Sequence, residues 1–123
     1  MTRKDLAGIP DGGTLQVLKS GLEVVRRTKH EPVDFAKLSR AELERRTDKR
    51  DGSKFLADWN LDRLVDWIEN AAGELGWVAQ PFEPDKHDFR FEVPVGYFRG
   101  KKVHTIRIVK DGRCIHAYPV EDQ

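Results

Sequence analysis

Asp111-Gly112 splits the last part of the chain into two alternating, β-branched segments, VHTIRIVK and RCIHAYPV, and constrains the fold more than any other feature. Asp-Gly is a strong two-residue hairpin signal, because a type I′ turn needs positive φ at both central positions. Closing the turn with Lys110 opposite Arg113 sets the register over residues 103–120. Val109 then faces Cys114, Ile108 faces Ile115, Arg107 faces His116, Ile106 faces Ala117 and Thr105 faces Tyr118. Opposed side chains share a face, with Cβ atoms about 5 Å apart. One face reads Ile106, Ile108, Ile115 and Ala117, which is core. The other carries Thr105, Arg107, His116 and Tyr118, a compact set of titratable and hydrogen-bonding groups suited to a phosphate.

Upstream, the pattern is helical. Leu15, Leu18, Leu22 and Val25 recur at helical spacing and predict an amphipathic helix over residues 14–27, with Gly21 a weak point inside it. It runs into the basic segment Arg26-Arg27-Thr28-Lys29 and then His30-Glu31-Pro32. The proline forces Glu31 into an extended conformation and leaves His30 at the helix exit. Ser39-Arg40-Ala41-Glu42 is a capping box, with Leu38 and Leu43 at the staple positions. That second helix ends near Asp48 and breaks at Asp51-Gly52. A third starts at Asn60, carries Leu61, Leu64, Val65, Ile68, Ala72 and Leu75 on one stripe, and stops at Gly76. Trp59 and Trp67 border the stripe as core aromatics. After a loop at Pro81-Phe82-Glu83-Pro84, the alternation of Phe89, Phe91, Val93 and Val95 predicts a strand, followed by a bend from Gly96 to Gly100. The expected architecture is α+β: N-terminal helices on one face of a small antiparallel sheet that ends in the C-terminal hairpin. Residues 1–13 form a lead segment and residues 14–123 a single domain.

The charge is unevenly spread. The net charge of +1 over 123 residues exerts no global pull on nucleic acid or membrane. Yet residues 97–116 hold six Lys or Arg against one acid, and residues 26–50 hold nine against five, whereas residues 51–74 hold six acids against Lys54 and Arg63. If the two basic stretches share a surface, that face attracts a polyanion. The lone Cys114 excludes an internal disulfide and a cysteine-rich zinc site. MTRKDLAGIP lacks the apolar region of a secretory signal, and no segment approaches the roughly 20 apolar residues of a membrane span.

Among candidate chemistries, His30, His87, His104 and His116 show no metal-ligand spacing. The chain has neither a phosphate-cradling glycine loop nor a G-x-S-x-G elbow. What remains is acid–base chemistry by histidine, whose ordinary pKa suits proton transfer near neutrality, beside cations able to stabilise an anionic transition state. His116 is the best placed, with Arg107 across the ladder, Thr105 on the diagonal and Tyr118 two residues on. His104 falls at the edge of the apolar face, opposite Pro119, and His87 in a solvated loop. His30 reads by itself as a residue at a helix C-terminus, favoured by the dipole.

The end of the chain, V-P-V-G-Y followed by V-H-T-I-R-I-V-K-D-G-R-C-I-H-A-Y-P-V, resembles the C-terminus of bacterial RNase A-like toxin domains of contact-dependent growth inhibition and other polymorphic toxins. Those domains end in T-A-Y-P and begin with a histidine before an s-x-x-E-L-x-x-R helix. Here His30 precedes Ser39-Arg40-Ala41-Glu42-Leu43-Glu44-Arg45. Ser53-Lys54-Phe55 is similar to their S-x-F segment, and Lys54-Phe55-Leu56-Ala57-Asp58 also fits the related EndoU-like toxin nucleases. The likeness spans roughly residues 28 to 120. It implies His30 as a catalytic histidine, Arg45 or Arg46 as the arginine on phosphate, and Tyr118 as the tyrosine of the A-Y-P tail. The chain departs from the pattern where His116 stands in place of threonine. Two histidines and a cation are the set that pancreatic-type ribonuclease uses.

The expected function is therefore a metal-independent endoribonuclease toxin domain that needs no cofactor and cleaves RNA, tRNA included, by transesterification to a 2′,3′-cyclic phosphate. One histidine takes the 2′-OH proton and the other protonates the leaving oxygen. Arg107, Arg45, Arg46 and Lys54 hold the phosphorane charge, Tyr118 or Thr105 hydrogen-bonds a non-bridging oxygen, and Lys101 and Lys102 bind substrate. The resemblance also implies a cognate immunity protein or antitoxin as partner. It implies action in the bacterial cytoplasm after delivery as the C-terminal part of a larger secreted protein. The alternative is a non-catalytic binding module, such as an immunity protein, an antitoxin or a phage accessory protein, that holds an acidic partner on the same basic hairpin. The two-histidine chemistry requires His30 and His116 on one face, with rings roughly 5–8 Å apart or brought there by a short loop movement.

Overall fold

The computed structural model describes residues 6–32, 37–48, 52–79 and 84–122. The expected loop at Pro81-Phe82-Glu83 and the break at Asp51 lie outside them. Within the described residues the fold is α+β, with two α-helices and two sheets. The strands are β1 (Thr14–Val17), β2 (Glu23–Val25), β3 (Lys54–Phe55), β4 (Asp85–Arg90), β5 (Gly96–Phe98), β6 (Lys101–Val103), β7 (Thr105–Asp111) and β8 (Cys114–Val120). The helices are α1 (Arg40–Thr47) and α2 (Leu61–Leu75). One sheet has the order β1-β2-β8-β7-β4 and the other β3-β5-β6. The larger sheet is mixed, because β2 runs parallel to β8 while its remaining pairs are antiparallel.

The helix expected over residues 14–27 is instead the β1–β2 hairpin, and the expected all-antiparallel sheet is mixed. Leu18 and Leu22 close the connection by a backbone hydrogen bond, and Gly21 takes φ 89 inside it. A left-handed conformation there is easy only for glycine and turns the chain back rather than continuing a helix. Of the expected stripe, Leu18, Leu22 and Val25 are buried and Leu15 is half-buried, while Val24, which lay off the stripe, is fully buried in β2. In so short a segment, apolar spacing does not distinguish helix from strand.

The helices with full capping signals stand where the sequence places them. Ser39 Oγ accepts the Glu42 N–H at 3.2 Å, and Asn60 Oδ1 accepts the Arg63 N–H at 2.9 Å. Gly76, at φ 69, ends α2 with its N–H on the carbonyls of the last turn. The α2 stripe of Val65, Ile68, Ala71 and Ala72 packs with Val24, Ile106, Ile108, Ile115 and Ala117 in the core. Trp59, buried beside the stripe, meets Trp67 and Phe91 edge-on at 6.1 and 5.9 Å. Leu6, from the lead segment, joins the same core.

β7 and β8 pair antiparallel, with Asp111 opposite Cys114, Lys110 opposite Ile115, Val109 opposite His116 and Arg107 opposite Tyr118. The register is shifted by two residues from the expected one. Gly112, at φ 62, occupies the first central position of the turn and Arg113 the second, and Arg113 keeps a negative φ. That is the sign pattern of a type II′ turn, which asks for glycine at one position only, so Asp111 stays in the ladder. A shift of two preserves the faces. Ile106, Ile108, Ile115 and Ala117 are buried, and Arg107, His116 and Tyr118 point the other way, half-buried. The strand expected through Phe89–Val95 covers only Phe89 and Arg90 of that span. β4 begins at Asp85 and ends at Arg90, placing His87 in a strand opposite Ile108 rather than in a loop. The Gly96–Gly100 bend is the β5–β6 hairpin.

The small sheet packs on β8 through one close approach. A Cβ on Gly96 would stand 2.4 Å from the Lys54 carbonyl oxygen and 2.5 Å from Pro119 Cγ. Gly96→Ala should therefore lower stability by about 1–3 kcal/mol, as expected for forcing a packed backbone apart. Gly73, inside α2 with open space around it, is the control. Gly73→Ala should raise stability by about 0.5–1 kcal/mol on helix propensity. Urea unfolding of the two variants measures both, and a neutral Gly96→Ala would contradict the packing described.

Candidate functional site

A short helical turn, Thr28–His30, carries His30 to the outward face of β8. Asp11 holds its start, its carboxylate accepting the Thr28 N–H at 2.9 Å and the Thr28 hydroxyl at 3.1 Å. Those hydrogen bonds, backbone first, hold the Asp11 carboxyl below its usual pKa. On the other side, Arg26 forks onto both carboxylate oxygens of Glu31 at 2.9 and 2.7 Å and reaches the carbonyl oxygens of Ala7 and Ile9. Glu31, before Pro32, is extended at φ −69 and ψ 153.

The imidazole of His30 is buried, with 3% of the residue exposed, and Nδ1 lies 2.8 Å from the Ser53 carbonyl oxygen. A carbonyl only accepts, so Nδ1 carries the hydrogen and Nε2 holds the lone pair in the neutral ring. Ser53 Oγ lies 3.2 Å from the same nitrogen. Tyr118 stacks on this ring at 4.8 Å between centroids and 16° between planes. Its neighbour on β8, His116, is also nearly parallel to it, at 5.9 Å and 19°. The shared tyrosine keeps the two histidines within roughly 11 Å of each other, on one face.

These rings line a cleft of about 660 Å³ with Arg27, Lys29, Arg107 and Phe98. Arg107 stands opposite Tyr118 on β8 and Asp88 on β4, and grips Asp88 with two hydrogen bonds of 2.8 and 3.0 Å. The bond to Asp88 chiefly raises the Arg107 pKa, and the same bond lowers that of Asp88. His116 is pushed down to about 4, first by burial and then by the positive charge of Arg27, His30 and Lys29. It is a neutral ring at physiological pH.

The remaining sequence candidates fall outside the cleft wall. Thr105 is buried and donates its hydroxyl to Asp122 Oδ1 at 2.8 Å. Arg45 and Arg46 are exposed on α1, with Arg45 3.7 Å from Glu42. Lys101 and Lys102 are exposed on β6, and Lys54 donates its ammonium to the Lys29 carbonyl at the cleft's edge. Conversely, Arg27, Lys29, Ser53 and Phe98 belong to the site without having been singled out for it. The signal for Arg27 and Lys29 was the basic run before His30, and that for Ser53 was its place in the Ser53-Lys54-Phe55 segment. Among the described residues, no three or more His, Cys, Asp or Glu side chains are gathered to hold a metal ion. No helix among them is long and apolar enough to cross a membrane.

The arrangement offers two imidazoles, one with its tautomer assigned by a carbonyl, set among cations in a half-buried trough. Imidazoles and cations so arranged have the chemistry to hold an anion and exchange protons with it.

The depressed His116 pKa has a consequence for stability. Unfolded, the ring binds its proton near 6.5, but in the folded protein it does so only near 4, so the unfolded state holds more protons between these values. Stability from this residue is complete above about 6.5 and is lost as the pH falls towards 4. Thermal unfolding across that range should show a smaller drop in Tm for His116→Gln than for the parent, and equal drops would contradict the burial and charge described. Comparison of the chain with protein-family models, curated proteins and solved structures finds no match in any of the three.

Proposed function

We propose that this protein is a metal-independent ribonuclease that cleaves RNA by transesterification to a 2′,3′-cyclic phosphate. The observation that carries the reading is the ring stack His30–Tyr118–His116 on the wall of a cleft that also holds Arg27, Lys29 and Arg107. His116, neutral in the free protein, accepts the 2′-OH proton, and the freed oxygen attacks the adjacent phosphorus. His30 donates to the 5′-leaving oxygen through Nε2–H. Its Nδ1–H bond to the Ser53 carbonyl orients the ring and leaves Nε2 to face the substrate. The phosphodiester brings a negative charge that offsets the repulsion of Arg27 and Lys29, so His116 regains basicity in the complex. Arg107, oriented by Asp88, and Arg27 stabilise the phosphorane. Tyr118 positions both imidazoles.

In this reading, an immunity protein or antitoxin that covers the cleft is the natural partner. The wider setting is that of a toxin domain acting in the bacterial cytoplasm after delivery as part of a larger secreted protein.

Purified protein should degrade RNA in EDTA and leave DNA of the same sequence intact, since the chemistry needs the 2′-OH. His116→Ala and His30→Ala should each lower the rate by on the order of 10²-fold or more. The product should carry a 2′,3′-cyclic phosphate, detectable by ³¹P NMR. Undiminished cleavage by His116→Ala, or strict dependence on added divalent metal, overturns the mechanism. RNA binding without cleavage by the parent protein makes the cleft a docking site for an acidic partner instead.

A further inference from the structure

We infer that Phe98 and Glu121, which line the same cleft, form a nucleobase subsite that selects an unpaired guanine, an inference that rests on the ribonuclease reading above. Phe98 is two residues beyond Gly96 on β5, so its side chain falls on the side where Gly96 meets Pro119, and it lines the cleft half-buried. The Arg99 guanidinium lies over the Phe98 ring, 5.1 Å from its centroid. Arg99 donates its N–H to the Thr47 carbonyl at 2.7 Å. Thr47 is itself buried and accepts the Gly100 N–H on its hydroxyl at 2.7 Å. Arg99 and Gly100, at φ 54 and 75, are the central pair of the β5–β6 hairpin turn, which needs positive φ at both, so the turn fixes a cation beside an aromatic ring that lines the cleft. An aromatic face stacks any base, and a neighbouring arginine strengthens the contact.

The choice of base follows from Glu121. It is the one carboxylate among the described residues that line the cleft, at the end of β8 beside Val120. A carboxylate only accepts hydrogen bonds, and near a bound phosphate it is unfavourable unless donors face it. Guanine is the base with two adjacent donors, N1–H and the N2 amino group, on its Watson–Crick edge. That edge is occupied in a duplex, so the subsite takes a single-stranded base.

Calorimetric binding of guanosine 3′-monophosphate, uridine 3′-monophosphate and inorganic phosphate tests this on the whole chain. The parent should bind the guanosine nucleotide about tenfold or more tightly than the uridine one. Phe98→Leu should weaken both nucleotides by about tenfold and leave inorganic phosphate unchanged. Glu121→Gln, an exposed substitution that does not touch the core, should abolish the guanosine preference alone. Equal binding of the two nucleotides by the parent, or a preference that survives Glu121→Gln, overturns the subsite. The ribonuclease reading still stands in that case if phosphate binds. Failure of the parent to bind phosphate and both nucleotides overturns the two together. Should Phe98→Leu fail to fold by circular dichroism, Glu121→Gln decides alone.

Discussion

The parallel pairing of β2 with β8 is the constraint on which the site depends. Glu23 lies opposite Cys114 and Val24 opposite Ile115, so the two strands run the same way. The chain leaving β2 therefore travels alongside β8 towards His116 and Tyr118, and the next turn it makes, Thr28–His30, arrives at their level. An antiparallel β2 would carry the same residues back towards the hairpin turn at Gly112. Burial enforces the arrangement: Leu22, Val24 and Ile115 are fully enclosed in the core beneath α2.

Charge is managed locally in this face. Arg26 is neutralised by Glu31 and serves the backbone of the lead segment, whereas Arg107 is matched by Asp88. Burial, and then the positive charge of Arg27, His30 and Lys29, holds a proton off His116. The two histidines thus differ in environment although both stack on one tyrosine. Both rings are enclosed beside Arg27 and Lys29, but His30 has a carbonyl on Nδ1, whereas His116 is held well below its ordinary pKa by burial first and then by the nearby cations.

How far the sequence speaks for the fold varies with the kind of signal. α1 and α2 carry local capping chemistry, Ser39 with Glu42 and Asn60 with Gly76, which acts within a turn and is legible without context. The faces of β7 and β8 were legible for a similar reason, since alternation survives a register shift of two. The register was not, because Asp-Gly is compatible with two turn types that differ in which residue closes the ladder. The β1–β2 hairpin was hidden by leucines whose spacing fits a helix, and only tertiary pairing with β8 selects the strand. At the site, His116, Arg107 and Tyr118 followed from strand parity alone. His30 was ambiguous by spacing and entered through a resemblance. Phe98 was out of reach, and Ser53 was marked only by its place in the Ser53-Lys54-Phe55 segment, because its contact with His30 joins positions 23 residues apart.

The account's central claim is that His30 and His116 act on one bound phosphate. Its most direct test is an NMR titration of the two imidazole Cε1–H resonances with inorganic phosphate, in EDTA, at several pH values. The account predicts that both resonances move with a single dissociation constant and that the His116 pKa rises from about 4 towards 6.5 as phosphate binds. Movement of one histidine without the other, or an unchanged His116 pKa at saturating phosphate, would contradict it.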